Sequence, residues 1–393
     1  MTILIAWPNL VPVTHAGAVR GMAFVKAAAA LGLSPITITP SITDPTIERW
    51  DGMHISTLRL YDSYASLLPP PFPALLLPLT IARLSAIAKK NRVRAVVSST
   101  PGLFLALECL FVARLLGIPF FLDIRDSWAL EEISHTGLLR NRVKSRLEWI
   151  LCHGAVKVWT VTESLARLLC ESHRFPSNRV QVVPNGADLS VFSPIATQKK
   201  YDLVFLGAPS PYEDPSKALE SFLCLSFERP SLRVLWLGWE RATLTDSARS
   251  ALNMLVSKGF LKLSPRVPNS EVPSILAEAR IGVASLCEEE VYRTAIGAKV
   301  YEYIASGLPL ASLGPPGKSE LRSLIEAYGV GFFATTPKDF ASLASQILTD
   351  EKKLKSLRER CLTVSKRFDR GQICLQALRN FVVPYLNRTK GTA

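Results

Sequence analysis

The sequence predicts an α/β protein built from two Rossmann-like, doubly wound domains. Three observations carry this. Short apolar runs alternate with patterns of helical period along the chain, and strands alternating with helices form parallel sheets. The rhythm runs through twice, on either side of a polar stretch at Ser193–Lys200, which predicts a joint between two units there. The 393 residues, 48% hydrophobic and 20% charged, are too many for one compact core and apolar enough to fill two.

In the first half, Ile3–Trp7 reads as the opening strand, since Met1–Trp7 lacks the basic leader and small-residue cleavage site of a signal peptide. A helix over about Ala18–Leu31, a strand Ile36–Ile38, a helix near Ile81–Asn91, a strand Ala95–Ser98, a helix near Phe104–Leu116 and a strand Pro119–Asp123 follow. The second half gives strands at Leu203–Leu206, Leu232–Leu237, Leu261–Leu263, Ile281–Ala284 and Leu310–Leu313. Helices are expected near Ser216–Phe227, Ala248–Ser257 and Val272–Ala279, then at Phe340–Leu348, Glu351–Phe368 and Gln372–Leu386. The expected units are therefore residues 1–195, residues 200–371 and a closing helix, 372–393. Ligands of such sheets gather at the carboxyl ends of the strands.

The net charge of +13 is spread along the chain and favours anionic partners. Nucleic acid is the weakest of these, because no basic stretch is interleaved with aromatics and no helix-turn-helix or zinc pattern occurs. Seven scattered cysteines suit a reduced, cytoplasmic setting better than a disulfide framework. The five histidines show no metal spacing; His135, after the Asp126 loop, is the one worth testing. The longest apolar segment, Leu67–Ile81, is broken by five prolines and reads as a loop or interfacial segment, not a membrane span. Leu139, Val143, Leu147 and Ile150 share one helical stripe, with Arg140, Arg142, Lys144 and Arg146 on the remainder. Such a helix either lies on an anionic membrane or turns its stripe to the core.

The most informative stretch is Gly297–Pro309, GAKVYEYIASGLP. Gly297 leads into a short helix, Lys299 and Glu302 stand three apart on one face, and Gly307 and Pro309 close it. A helix start presents unpaired N–H groups and partial positive charge, so a phosphate can sit there with Lys299 as counter-charge. Glu302, a turn further in, can accept hydrogen bonds from two hydroxyls. A nucleoside diphosphate with its ribose has both features. A solvated ion pair of small energy is the plainer alternative.

This stretch resembles the donor-binding helix of glycosyltransferase family 4, retaining enzymes of GT-B fold that use nucleotide sugars. The family pattern is Glu, a glycine three residues on, and a second Glu eight residues after the first, then a glycine and a proline. Gly297, Glu302, Gly307 and Pro309 fill it, while Thr294 stands where the first Glu, a donor-sugar contact, is usual. Glu288, Glu289 and Glu290 lie just upstream as substitutes. Val182-Val183-Pro184-Asn185-Gly186-Ala187-Asp188 resembles the family's strand-to-turn signature, an architectural element because Asn-Gly tolerates positive φ. The resemblance implies two lobes facing across a cleft, an acceptor domain first and a donor domain second, and a last helix crossing back to the first domain.

It also assigns site residues. Arg125 and Asp126, in the loop Asp123–Trp128, resemble a subgroup that builds bacterial surface polysaccharides, and Arg binds phosphate or carboxylate through two parallel hydrogen bonds. With Lys299 and Glu302 they form the catalytic set. Trp128 either packs or stacks on a sugar. Gly17, after the first strand, matches a glycine-rich loop near the donor phosphates, and Arg20 beside it faces the cleft or solvent. Gly207 begins the loop where the family shows Arg then Lys; Ala208 replaces the Arg, and Lys217 is either the phosphate lysine or a solvated helix start. Arg266 and Val267 follow the strand that cups the base, and Thr294, Gly297 and Tyr301 complete the donor contacts. The implied activity is transfer of a sugar from a nucleotide-diphosphate donor to a glycan or lipid-linked acceptor, without metal or other cofactor. The setting is the cytoplasm, peripheral on the inner face of the membrane. A sugar-nucleotide epimerase and a catalytically silent glycosyltransferase-like subunit are the alternatives.

Overall fold

The computed structural model describes residues 1–8, 10, 16–40, 47–50, 53–58, 75–127, 138–240 and 243–388. Within it the chain packs as two compact units, residues 1–184 with 370–393, and residues 185–369.

The first unit is built on eight strands: β1 (Thr2–Ala6), β2 (Ser34–Pro40), β3 (Ile47–Trp50), β4 (Met53–Leu58), β5 (Val93–Ser99), β6 (Phe120–Ile124), β7 (Lys157–Thr160) and β8 (Val180–Val182). They lie in the order β3-β4-β2-β1-β5-β6-β7-β8. Every pair is parallel except the hairpin β3–β4. The central strands are continuous apolar runs because both faces of the sheet are covered. Ile3, Ile5, Val97 and Phe121 point to the side of α1 (Ala16–Ala30), and Leu4, Val96 and Leu122 to the other. That second face is covered by α2 (Leu77–Lys90), α3 (Leu103–Leu116), α4 (Leu138–Gly154) and α5 (Glu163–His173).

Two expectations change here. The helix expected from Ile81 starts at Leu77 with Pro78 in its first turn, where a missing N–H costs no hydrogen bond; residues 67–74 lie outside the described residues. In α4 the expected apolar stripe is inward only in part: Leu147 and Ile150 pack on the core. Val143 is 52% exposed, while Lys144 and Glu148 are buried. Glu148 accepts a hydrogen bond from Ser127 Oγ at 3.1 Å and lies 3.4 Å from His173 Nε2, so a polar group takes the inward face and Leu151 and Cys152 continue it. The side chains of Leu139 and Arg140 lie outside the described residues.

The second unit holds β9 (Tyr201–Leu206), β10 (Val234–Leu237), β11 (Leu261–Ser264), β12 (Ala279–Ser285), β13 (Leu310–Leu313) and β14 (Gly331–Ala334), all parallel, in the order β11-β10-β9-β12-β13-β14. One face packs on α6 (Pro215–Glu228), α7 (Asp246–Ser257) and α11 (Pro337–Thr349). The other packs on α8 (Val272–Ala277), α9 (Ala298–Ala305), α10 (Glu320–Tyr328) and much of α12 (Glu351–Ser365). From Arg370 the chain belongs to the first unit again. Helix α13 (Arg370–Ala377) continues through a π turn, 378–382, into α14 (Val383–Arg388), and Cys374, Leu378, Val382 and Leu386 enter the core beside α1.

The chain changes units between Pro184 and Asn185, ahead of the expected joint at Ser193–Lys200. The Pro184 carbonyl accepts from Arg20 in the first unit, whereas the Ala187 N–H donates to Phe368 O and Phe192 is buried in the second unit's core. Polarity marks the loop that follows, but these contacts decide to which body it belongs. The seven cysteines are unpaired, and among the described residues no helix is long and apolar enough to cross a membrane.

Candidate functional site

In the second unit the candidate residues gather at the carboxyl ends of β9, β10 and β11 and at the start of α9. Strand β9 ends in Gly207, whose φ of 113° is reserved for glycine. Its N–H donates to Leu237 O at 2.8 Å and its carbonyl accepts from Trp236 Nε1 at 2.9 Å. Gly238 closes β10 at φ 92°, and a Cβ there would meet the Gly207 carbonyl carbon at 3.2 Å. Two glycine turns are thus pressed together. The Leu206 N–H donates to Tyr303 Oη at 2.7 Å. Tyr303 comes from α9 and is fully buried beneath Gly282, where a Cβ would lie 2.5 Å from its ring. The β9 turn and α9 are therefore fastened to one another.

Lys299 stands in the first turn of α9. Its Nζ lies 2.7 Å from Glu213 Oε1 and 4.1 Å from the centre of the Phe205 ring. Burial pulls this ammonium below the usual lysine range, against the raising effect of Glu213 and then Glu302. No side chain caps α9, and exposed Gly297 serves as its N-cap, so helix-start N–H groups and a buried cation share one spot. Glu302 follows one turn on, half-buried.

Lys217 opens α6, where Asp214 accepts from its N–H at 3.0 Å. Its Nζ pairs with Glu288 at 3.0 Å, and that bond holds the Glu288 carboxyl below its usual range. Glu288 is therefore engaged with Lys217 and 75% exposed. Thr294 ends a short 3-10 turn, Glu290–Thr294, half-buried. Arg266 is exposed, 3.4 Å from Glu240, and half-buried Val267 packs on the core, both just past β11. Tyr301, expected as a donor contact, faces the core instead. It is 2% exposed and its ring lies 5.0 Å from that of Phe368, because position 301 falls on the inward face of α9.

In the first unit Gly17 meets the Arg125–Asp126 loop through Arg125, more than a hundred residues away in sequence. Trp7 Nε1 donates to Gly17 O at 2.8 Å, and Arg125 Nε donates to Thr100 O at 2.9 Å. A Cβ on Gly17 would crowd the Arg125 guanidinium, so the two lie in close contact, and a larger residue there would make that flexible side-chain end shift. Burial raises the Asp126 carboxyl above its usual range, opposed by Arg125 and reinforced by Asp123. Arg20 faces neither ligand nor solvent. It is 1% exposed, grips Asp123 at 2.7 and 3.2 Å, and donates to the carbonyls of Val183 and Pro184. Thr14, His15, Trp128 and His135 lie outside the described residues. Among the described residues no three His, Cys, Asp or Glu side chains gather as a metal site.

Glu213, Phe205 and Tyr303 were not singled out by the sequence. Glu213 sits in a short 3-10 turn, Pro211–Glu213, within a Pro-rich loop, with no periodic signal to set it apart from any solvated carboxylate.

The family model described as Glycosyltransferase Family 4 matches residues 18–191. No curated protein matches the chain. Among solved structures, sucrose-phosphate synthase from Thermosynechococcus elongatus is similar with a TM-score of 0.74 at 14% identity, covering 98% of this chain and 100% of that one. HepE from Anabaena, in complex with UDP, gives 0.69 at 12% identity, with 98% and 100% covered. A glycosyltransferase from Rickettsia africae gives 0.67 at 14% identity, with 100% and 99% covered. The two parallel α/β units are those of the GT-B fold, and the protein is of the glycosyltransferase class. More particularly, it is residues 18–191 that match the family 4 model.

Proposed function

We propose that this protein is a retaining glycosyltransferase that moves a sugar from a nucleotide-diphosphate donor, bound by the second unit, to an acceptor bound by the first. The observation that carries the proposal is the buried Lys299 ammonium beside the uncapped start of α9, with Glu302 one turn on. As the bond between the anomeric carbon and the phosphate oxygen breaks, its electron pair stays with the nucleoside diphosphate. Lys299, the helix start and Lys217 stabilise that charge in a site already organised for it. The acceptor hydroxyl oxygen bonds to the same face of the anomeric carbon and passes its proton to the departing diphosphate. Glu302 holds the ribose, and Gly207 lets the backbone approach the phosphates. Arg125 and Asp126 orient substrate in the first unit. The proposal asks no metal or other cofactor to take part.

The acceptor is a lipid-linked or polysaccharide glycan of cell-surface synthesis, met by a cytoplasmic protein peripheral on the inner membrane face. Exposed Leu79, Phe111, Leu115 and Val143, on α2, α3 and α4, support contact with a membrane, as do the neighbouring exposed Lys89, Lys90, Arg114, Arg142 and Arg146. Because HepE holds UDP, uridine sugars are the first donors to try.

Incubation with a panel of nucleotide sugars and a lipid-linked acceptor tests the proposal. Free nucleoside diphosphate with glycosylated lipid is expected. An isomerised donor points to an epimerase, and binding without turnover to a silent subunit, for which the Thr294 replacement speaks. Glu302→Ala should weaken UDP binding about 10- to 100-fold with thermal unfolding nearly unchanged. A collapse of stability instead refutes the ribose assignment.

A further inference from the structure

The amino ends of the second unit's strands carry a concentration of cations that the donor site does not use. Lys199 precedes β9, Arg233 precedes β10, Arg280 is the second residue of β12, and Lys355 and Arg358 lie one turn apart on α12. Together with Glu351 they line a half-open cavity of about 450 Å³. Gly207 and Gly238 terminate the opposite ends of the same strands, so the length of β9, six residues or about 20 Å, separates this cavity from the donor groups.

The cluster is short of counter-charge. Glu351 pairs with Arg280, and the Lys199 ammonium donates to the Ala277 carbonyl at 2.6 Å. Among the described residues no carboxylate stands within ion-pair distance of Arg233, Lys355 or Arg358. Five cations against one carboxylate leave an excess of four positive charges around a single cavity. Burial pulls the Lys199 ammonium down to about 8, with Arg358 and Arg280 adding like-charge repulsion. Three of the five are arginines, whose forked donors match phosphate oxygens in pairs. The size of the excess favours a doubly or more highly charged anion over a single carboxylate.

We propose that this cavity, at the amino-end pole of the second sheet, is a binding site for a phosphate-bearing polyanion, held by Arg233, Arg280, Lys355 and Arg358 with Lys199 at its floor. The occupant is a soluble phosphate ester or the phosphate headgroup of a lipid, which present the same oxygens to these donors.

Titration calorimetry of the full chain with inorganic pyrophosphate tests this, alongside co-sedimentation with vesicles of phosphatidylcholine carrying phosphatidic acid. The wild type, Lys299→Met, Arg358→Gln and Arg233→Gln are compared. Lys299→Met removes the donor-site cation and should leave saturable binding of pyrophosphate at the second site. Arg358→Gln and Arg233→Gln should each weaken that binding about tenfold or more, since each removes a charge-assisted contact. Arg233 is exposed, so its variant keeps the test valid should the half-buried Arg358 prove necessary for folding. Pyrophosphate binding that depends on both arginines supports a soluble ligand. Vesicle binding that depends on them, without pyrophosphate binding, supports the headgroup. Binding of both probes that ignores the arginines, or loss of all pyrophosphate binding in Lys299→Met alone, overturns the proposal. Failure of UDP binding in the wild type would strike the donor reading and leave this one standing.

Discussion

Glu213→Gln isolates the electrostatics of the Lys299 site, because it keeps the side-chain shape and an acceptor oxygen while removing one charge. The ion pair is 2.7 Å long, with side chains 11% and 19% exposed. At an effective dielectric of about 20, unit charges at that distance attract by about 6 kcal/mol. The hydration that both groups give up, and the water still reaching them, cancel most of this and leave about 1–3 kcal/mol. A urea-denaturation cycle of wild type, Glu213→Gln, Lys299→Met and the double variant reads the pairing term directly. A second readout distinguishes charge from packing. Burial already lowers the Lys299 ammonium, and Glu213 is the strongest influence raising it. Without that carboxylate the lysine loses its proton at lower pH, so the alkaline fall of UDP binding should move to lower pH in Glu213→Gln. A pairing term below about 0.5 kcal/mol, or an unmoved alkaline limb, would refute the account of Lys299 as a cation maintained by Glu213.

Two further predictions concern stability. Arg20→Met should cost about 3–5 kcal/mol in urea denaturation, because Asp123, 0% exposed, loses its buried partner and the carbonyls of Val183 and Pro184 lose a donor; a cost under about 1 kcal/mol would contradict a buried structural role. For Lys199, facing Arg280 on β12, Arg358 and Glu351 on α12 and Arg233 before β10, the folded value of about 8 lies below the ordinary 10.5. The unfolded chain therefore binds more protons between these values, and stability gains from this group as pH rises from 8 to 10.5. Lys199→Met should abolish that gain, and parallel wild-type and variant profiles across pH 7 to 10.5 would contradict it.

Much of the fold was legible because its signals are local and repetitive. Strands β1, β5, β6, β9 and β12 are runs buried on both faces, and the helices between them carry the period of their inward residues. Strand β7 escaped because polar Lys157 and Thr160 leave it only two consecutive apolar residues, Val158 and Trp159, so no apolar run marks it. The polar part of the inward face of α4 escaped for a different reason. A carboxylate faces inward only when distant groups, here Ser127 and His173, satisfy it, and no helical period announces that. Arg20 gave the same difficulty: its partner Asp123 lies 103 residues away.

The amino-acid sequence by itself determined two parallel α/β units, the Gly297–Pro309 helix start with its Lys299 and Glu302, and the Asn-Gly turn near the change of unit. Each depends on neighbours within a turn or two along the chain. Only the tertiary structure decided that Glu213 is the counter-charge of Lys299, that Gly17 lies against Arg125, that Tyr301 is core, and that five cations share one cavity at the far ends of the strands. Those pairings depend on strand order and register, which place side chains from separate elements within a few ångströms, and the energies of charge and burial are set by that distance and by the water excluded around it.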